Sequence, residues 1–315
     1  MMVRPQEIRE AAGRIRPIAR RTPVLTSPDF DAAAGVRAFF KCENLQRGGA
    51  FKIRGASNFI FQIAPERVAR GVVAYSSGNH AQAVAIAARH VGARATLVMP
   101  TDAPRSKVEA TRAQGATIVT YDRLRESREA IGAAIAGETG ATLVPPFDHP
   151  WIIAGQGTAA LELLEEAPEL DALIAPVGGG GLLSGCAIAA RSVNPGIRIF
   201  GAEPEDANDW FLSLRAGERI EIPPPKTMAD GLRPTRPGEL TFAILRERAE
   251  AILLVSEDEI RAALRFLLER LKILVEPSGA VAAAAVLNRK LPPGVRSVGV
   301  ILSGGNVDFE VLQSL

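Results

Sequence analysis

Short runs of β-branched and other apolar residues recur along the chain at 72–75, 95–99, 117–121, 142–144, 173–177, 197–201, 252–255 and 298–302. Between most of them lie alanine-rich or amphipathic stretches with helical spacing, at 81–90, 105–114, 125–138, 152–166, 182–191 and 257–271. Strands that alternate with helices predict an α/β protein with mainly parallel sheet flanked by helices, because a parallel pair needs a long crossover. Residues 172–190 carry no charge over roughly the length of a bilayer span. They include Pro176 and four successive glycines, which break a spanning helix, so the run reads as a buried strand, a glycine loop and a helix. No repeat is present, and the linker-like stretches are the IPPP at 222–225 and the proline-rich 232–237.

Composition narrows the class. A chain of 315 residues, 47% hydrophobic, has enough apolar surface for one large domain or two moderate ones. Its net charge of +2 is spread without a basic block, which excludes a nucleic-acid footprint. Cys42 and Cys186 stand far apart without CxxC spacing, which argues against a disulfide framework or structural zinc and fits a reducing cytoplasm. The N-terminal MMVRPQEIREAAGRIR is charged throughout and lacks the apolar core of a signal peptide, so a cytoplasmic location and no membrane partner are expected.

In open α/β sheets ligands bind beyond the carboxyl ends of the strands. Three turns at such ends are unusual. After Val177 come Gly178, Gly179, Gly180 and Gly181, with Leu182 opening a helix. Such a loop lets backbone approach an anion closely, and the helix start adds free N–H groups, so this is a candidate phosphate cradle. A dinucleotide site is the competing reading, with Glu203 as the ribose ligand, but Ser184 stands where GxGxxG needs its third glycine. No Gly-Lys-Ser/Thr follows, so it is not a P-loop. After Tyr75 come Ser76, Ser77, Gly78, Asn79 and His80, a hydroxyl- and amide-bearing helix start suited to a carboxylate, or plain N-capping. After Leu302 come Ser303, Gly304, Gly305 and Asn306, which offer a neutral hydroxyl. The chain has six lysines among 37 basic residues, and Lys52, in AFKIRGA behind a Gly-Gly turn, is a candidate Schiff-base former. With three histidines and no GxSxG elbow, a Ser-His-Asp hydrolase finds little support.

AFKIRGA around Lys52, SSGNHAQA from Ser76, IAGQGT from Ile153, PVGGGGLLSG from Pro176, ADGLR from Ala229, VEPSGA from Val275 and LSGGN from Leu302 occur together. In that order they resemble the pyridoxal-phosphate enzymes of the tryptophan-synthase β-like fold (fold type II), and more narrowly the threonine/serine dehydratase and serine racemase group. The resemblance spans nearly the whole chain. It implies two α/β domains: a large cofactor-binding one of residues 1–69 and 149–315, and a small mobile one of residues 70–148. It implies pyridoxal 5'-phosphate held through Lys52, with the phosphate on Gly178 to Leu182 and the ring between Phe51 and Gly231. Asn79 would meet the phenolic oxygen and Ser303 the ring nitrogen; a serine there leaves the ring unprotonated, which favours leaving-group expulsion. Ser76 and the backbone of Ser77, Gly78, Asn79 and His80 match the substrate-carboxylate pocket, and Ser77 also matches the acid–base group opposite the lysine in racemases. Glu203, the Ala207 carbonyl and Asp209 match the divalent-cation positions of the metal-activated branch, where oxygen ligands suit Mg²⁺ or Ca²⁺.

The expected activity is dehydration of L-threonine or L-serine, a small hydroxy-amino acid, to a 2-oxo acid and ammonia, by a homodimer or higher homo-oligomer. Serine racemase or hydroxyaspartate ammonia-lyase chemistry on the same scaffold is the alternative; a nicotinamide-dependent oxidoreductase is more distant, and a pure ligand-binding module would leave the lysine and the opposing serine without a purpose. Ala50 departs from the family, which usually has serine before Phe-Lys. VPPFDHP at 144–150 looks like the biosynthetic threonine dehydratases, whereas the cation positions belong with the racemase-like branch. With the sequence reaching Leu315, the regulatory domain of the long biosynthetic dehydratases is not expected.

Overall fold

The computed structural model describes residues 3–76, 78–103, 105–313 and 315. Among the described residues ten strands run in chain order: β1 (Val24–Leu25), β2 (Arg37–Cys42), β3 (Val72–Tyr75), β4 (Ala95–Pro100), β5 (Thr117–Tyr121), β6 (Thr142–Leu143), β7 (Ala172–Pro176), β8 (Arg198–Pro204), β9 (Ala251–Val255) and β10 (Ser297–Leu302). They form a six-stranded sheet, β1-β2-β10-β7-β8-β9, and a four-stranded sheet, β5-β4-β3-β6. Every pairing is parallel except β1 with β2. The smaller sheet is built from one continuous segment, and the larger from strands on either side of it in the chain.

Alternation along the central strands divides the apolar residues between two cores. On β7, Ala172 and Ile174 face the core shared with the helix Pro277–Leu287, while Leu173 and Ala175 face the helices Pro150–Glu166 and Gly181–Val193. A third core joins Val72, Ala74, Leu97 and Met99 of the smaller sheet to the helix Asn79–His90, and to Ile53, Ala56 and Ile60 of the helix Lys52–Ile60.

The helix Lys52–Ile60 is clamped on its other side. A Cβ on Gly155 would lie 2.5 Å from the Arg54 carbonyl, so glycine lets the helix Pro150–Glu166 approach this closely. Arg54 is fully buried: Nε meets Glu43 Oε2 at 2.7 Å, and Nη2 meets Glu43 Oε1 at 2.8 Å and Glu162 Oε2 at 2.7 Å. The buried Lys41 joins Glu162 Oε2 at 2.7 Å and the Thr22 carbonyl at 2.6 Å. Charges held this way compensate one another's desolvation, and they set where the first turn of the helix, with Lys52, must lie.

The eight expected strands are present with ends shifted by up to three residues, as are the six expected helices, the last ending in a π-helical turn at Leu267–Leu271. The uncharged run forms β7, the glycine turn and the helix Gly181–Val193. Among the described residues no helix is long and apolar enough to cross a membrane.

Candidate active site

The carboxyl ends of β3, β7 and β10 open on one cavity of about 660 Å³. Its wall contains Phe51, Lys52, Ser76, Gly78, Asn79, His80, the five residues Gly178 to Leu182, Gly231 and Ser303. Ser77 lies outside the described residues. The remaining expected residues, Glu203, Ala207 and Asp209, are buried elsewhere and do not line the cavity.

Lys52 is the first residue of its helix, and its ammonium donates to the Pro146 carbonyl at 2.8 Å. Burial lowers its pKa from the ordinary 10.5 to about 8, because taking an ammonium out of water penalises the charged form. The segment carrying it is strapped to the turn after β10. Phe51 N–H donates to the Ser303 carbonyl at 3.0 Å, Gly305 N–H to the Gly49 carbonyl at 2.8 Å, and Ala50 bridges Gly304. Ala50 is buried against that glycine, so a serine in its place would put its hydroxyl in this tight contact.

The glycine loop is shaped by what surrounds it. Thr241 Oγ1 donates to the Gly179 carbonyl at 2.8 Å, and the Trp210 indole N–H donates to the Gly178 carbonyl. A peptide's N–H points opposite to its C=O, so tying these carbonyls back directs the N–H groups of Gly179 and Gly180 the other way. The first N–H groups of the helix Gly181–Val193 have no intrahelical acceptor either. Gly180 takes a left-handed φ of 89°, and a Cβ on Gly179 would collide with the Phe147 ring. The loop is a cradle of donors whose side-chain space is already filled by aromatic rings. Gly178 and Gly231 approach closely, a Cβ on Gly178 lying 3.1 Å from the Gly231 carbonyl, and Gly231 N–H is fixed by Ser278 Oγ at 2.9 Å.

Asn79 opens its helix two residues earlier than the sequence pattern suggested, because the small side chains of this segment give no apolar period to mark the start. Its amide donates to Glu276 Oε1 at 2.7 Å and accepts from Asn306 Nδ2 at 3.0 Å. Glu276, the N-cap residue of Pro277–Leu287, is buried with Oε2 unpartnered among the described residues. Burial raises its pKa to about 7, the charge of Lys107 opposing the shift and that of Asp230 adding to it. The His80 ring is buried and turned to the Val144 carbonyl at 3.1 Å. Burial first, and then the charge of Lys52, push its pKa down to about 3, so it is neutral and only its backbone belongs to the loop.

Glu203, in β8, and Asp209, at the start of the helix Asp209–Ala216, are buried carboxylates with Glu203 Oε2 and Asp209 Oδ2 unpartnered among the described residues. Burial, reinforced for Glu203 by the charge of Asp209, raises both. Among the described residues no group of three or more His, Cys, Asp or Glu side chains is placed to hold a metal ion, so the two carboxylates would need further oxygens of another kind, such as the Ala207 carbonyl. Two orphaned buried carboxylate oxygens fit a hard divalent cation. The donor cradle, the half-buried low-pKa lysine and the neutral Ser303 fit a phosphate-bearing heterocyclic aldehyde.

Sequence reasoning assigned Trp210, Thr241 and Glu276 no part in the site, and named Asn306 only as the end of the turn after Leu302. Glu276 lies inside VEPSGA and Trp210 directly follows Asp209, but nothing local in the chain marks their long-range partners.

The chain is 50% identical over 309 residues to an L-threo-3-hydroxyaspartate ammonia-lyase of Saccharomyces cerevisiae, covering 98% of this chain and 95% of that one. The structure of maize serine racemase superposes with a TM-score of 0.96 at 46% identity, over 100% of this chain and 97% of that one. The serine racemase of Dictyostelium discoideum superposes with a TM-score of 0.92 at 45% identity, over 97% and 99% of the two chains. Residues 15–304 match the model of the pyridoxal-phosphate dependent enzymes, and with the strapped lysine and the glycine cradle facing one cavity, the chain belongs to that family, among its ammonia-lyases and racemases.

Proposed function

We propose that the protein is a pyridoxal-phosphate-dependent ammonia-lyase acting on small β-hydroxy-α-amino acids, with threo-3-hydroxyaspartate preferred over L-serine and L-threonine. The observation that carries this reading is the convergence of the lysine, the glycine loop, Ser76 with Gly78, Asn79 and His80, and Ser303, from four separated segments, on one cavity. The acidic substrate is supported by the name of the half-identical yeast relative, and the cavity wall carries Lys107, Arg123 and Arg128, paired in this structure with Asp230, Asp102 and Glu129. Lys107 Nζ lies 3.5 Å from where a Cβ on Gly78 would sit, and Arg128 stacks on Tyr75.

In this reading Lys52 anchors the cofactor, Gly178 to Leu182 hold its phosphate, Phe51 and Gly231 flank the ring, Asn79 meets its phenolic oxygen and Ser303 its nitrogen. The bound cofactor supplies an electron sink that acidifies the substrate α-carbon. Ser76 and the N–H groups of Gly78, Asn79 and His80 hold the substrate carboxylate. Lys52 Nζ, partly neutral near pH 8, takes the α-proton from one face. Segment 70–148 acts as a smaller domain whose movement closes Ser76 to His80 over the substrate and excludes water. Glu203, Asp209 and the Ala207 carbonyl hold Mg²⁺ or Ca²⁺. Racemisation of serine is the second reading, favoured by the full-length likeness to maize serine racemase; Ser77 would then serve the opposite face.

The test is oxo-acid release and chiral analysis with threo-3-hydroxyaspartate, L-threonine, L-serine and D-serine. The highest kcat/KM is expected for hydroxyaspartate; a tenfold preference for threonine would overturn the substrate assignment, and D-serine formation without oxo acid would favour the second reading.

A further inference from the structure

Trp210 touches both the glycine loop and the acidic pair. It is fully buried, the second residue of the helix Asp209–Ala216. Its indole N–H donates to the Gly178 carbonyl, and its ring fills the space a Cβ on Gly180 would need. At the other end of the same residue, the backbone N–H groups of Trp210 and Phe211 face the Glu203 carboxylate, with Phe211 N at 2.8 Å from Oε1. One side chain therefore runs from the first turn of this helix to the carbonyl whose orientation aims the Gly179 N–H.

We propose that Trp210 is a positioning residue that couples cation binding at Glu203 and Asp209 to cofactor binding at the glycine loop, so that each ligand tightens the other. The inference rests on the cation and phosphate sites proposed above. Glu203 Oε2 and Asp209 Oδ2 are buried without partners among the described residues, and a cation held by them would tie β8 to the first turn of Asp209–Ala216 and fix that turn. That turn carries the indole. Holding the indole holds the Gly178 carbonyl, and the donor cradle is then set before the phosphate arrives, which lowers the ordering cost of binding. Linkage makes the effect reciprocal: the factor by which cation tightens cofactor equals the factor by which cofactor tightens cation.

The experiment titrates the full-length, cofactor-stripped protein with pyridoxal phosphate, in Mg²⁺ and in chelator, and titrates Mg²⁺ with and without the cofactor. Wild type is expected to show the same ratio in both directions, about five-fold or more. Trp210→Phe, which keeps an aromatic ring and loses the donor, should still bind both ligands with the ratio falling to near one. Thr241→Val, which loses the hydroxyl on the Gly179 carbonyl, should bind cofactor more weakly and keep the ratio. Trp210 emission, read in a Trp151→Phe background where it is the single tryptophan, should shift on adding Mg²⁺, and this reading survives if Trp210→Phe fails to fold. Mg²⁺ binding with no effect on cofactor affinity, an unchanged ratio in Trp210→Phe, or silent emission would overturn the coupling. Absence of any Mg²⁺ or Ca²⁺ binding to wild type would instead remove the cation site and the coupling with it, leaving the cofactor assignment untouched.

Discussion

Asn79 Nδ2 donates to Glu276 Oε1 at 2.7 Å, joining the helix that follows β3 to the N-cap of the helix Pro277–Leu287 across the cavity. The bond fixes which way the Asn79 amide faces, because its oxygen is engaged by Asn306 on the other side. It also leaves a carboxyl buried and one oxygen short of partners among the described residues, with consequences for stability.

The Glu276 pKa lies near 7 in the folded chain against an ordinary 4.5, so between these values the folded state holds a proton that the unfolded state has released. Stability from this group is complete below pH 4.5 and is lost as pH rises through 7. Glu276→Gln cannot ionise, and in the cofactor-free chain it is expected to gain on wild type by up to about 3 kcal/mol at pH 8 and by little at pH 5. Urea unfolding at each pH measures this; parallel pH profiles for the two proteins would remove Glu276 as the source.

Lys52→Ala should abolish the visible absorption of the bound cofactor and lower turnover by at least about 10²- to 10⁴-fold, the range for a positioned acid–base group. In wild type the rate of cofactor capture by the stripped chain should climb with pH through about 8, where the buried ammonium gives up its proton. A mutant that keeps both the absorption and near-native turnover would exclude Lys52 as the anchor.

Removing the Arg54 side chain leaves Glu43 buried without its cation, so Arg54→Ala is expected to cost about 3–5 kcal/mol of unfolding free energy. Arg54→Lys should recover part of this, since it restores the charge but not the two-pronged contact with Glu43. Chemical denaturation decides the matter, and a loss below about 1 kcal/mol for Arg54→Ala would mean that water replaces the guanidinium.

Ser77→Ala is expected to eliminate serine racemisation and D-serine dehydration while preserving measurable dehydration of L-substrates, because only the first two need a group on the face opposite Lys52. Chiral analysis and oxo-acid release are compared in wild type and mutant. Continued racemisation would assign the second face to another group, and equal loss of every activity would give Ser77 a broader binding role.

The strand-end turns were legible because glycine runs and hydroxyl clusters directly after apolar runs are local signals. The two strands at one end of the larger sheet were not: the alternation of β2 breaks off after four residues, where Lys41 and Cys42 are both buried, and β1 is two residues long. Pro277–Leu287 was missed for the opposite reason, being almost uniformly apolar and buried on every side, which leaves no helical stripe to detect. Around the site, many residues that line the cavity were readable from motifs, whereas those that hold them in place were not. Trp210 acquires its role through Gly178, 32 residues away, and Asn79 through Glu276, 197 residues away.

β10 is the last strand in the chain, yet it lies between β2 and β7 in the interior of the larger sheet, and the turn after it straps the Lys52 segment. Synthesis must therefore reach the end of β10 and the turn after it before β2 can be joined to the rest of its sheet or the Lys52 segment strapped. If Lys52 is the anchor proposed above, cofactor capture waits on β10, and a translation product cut short before residue 297 would carry the glycine loop but lack the turn that straps the Lys52 segment.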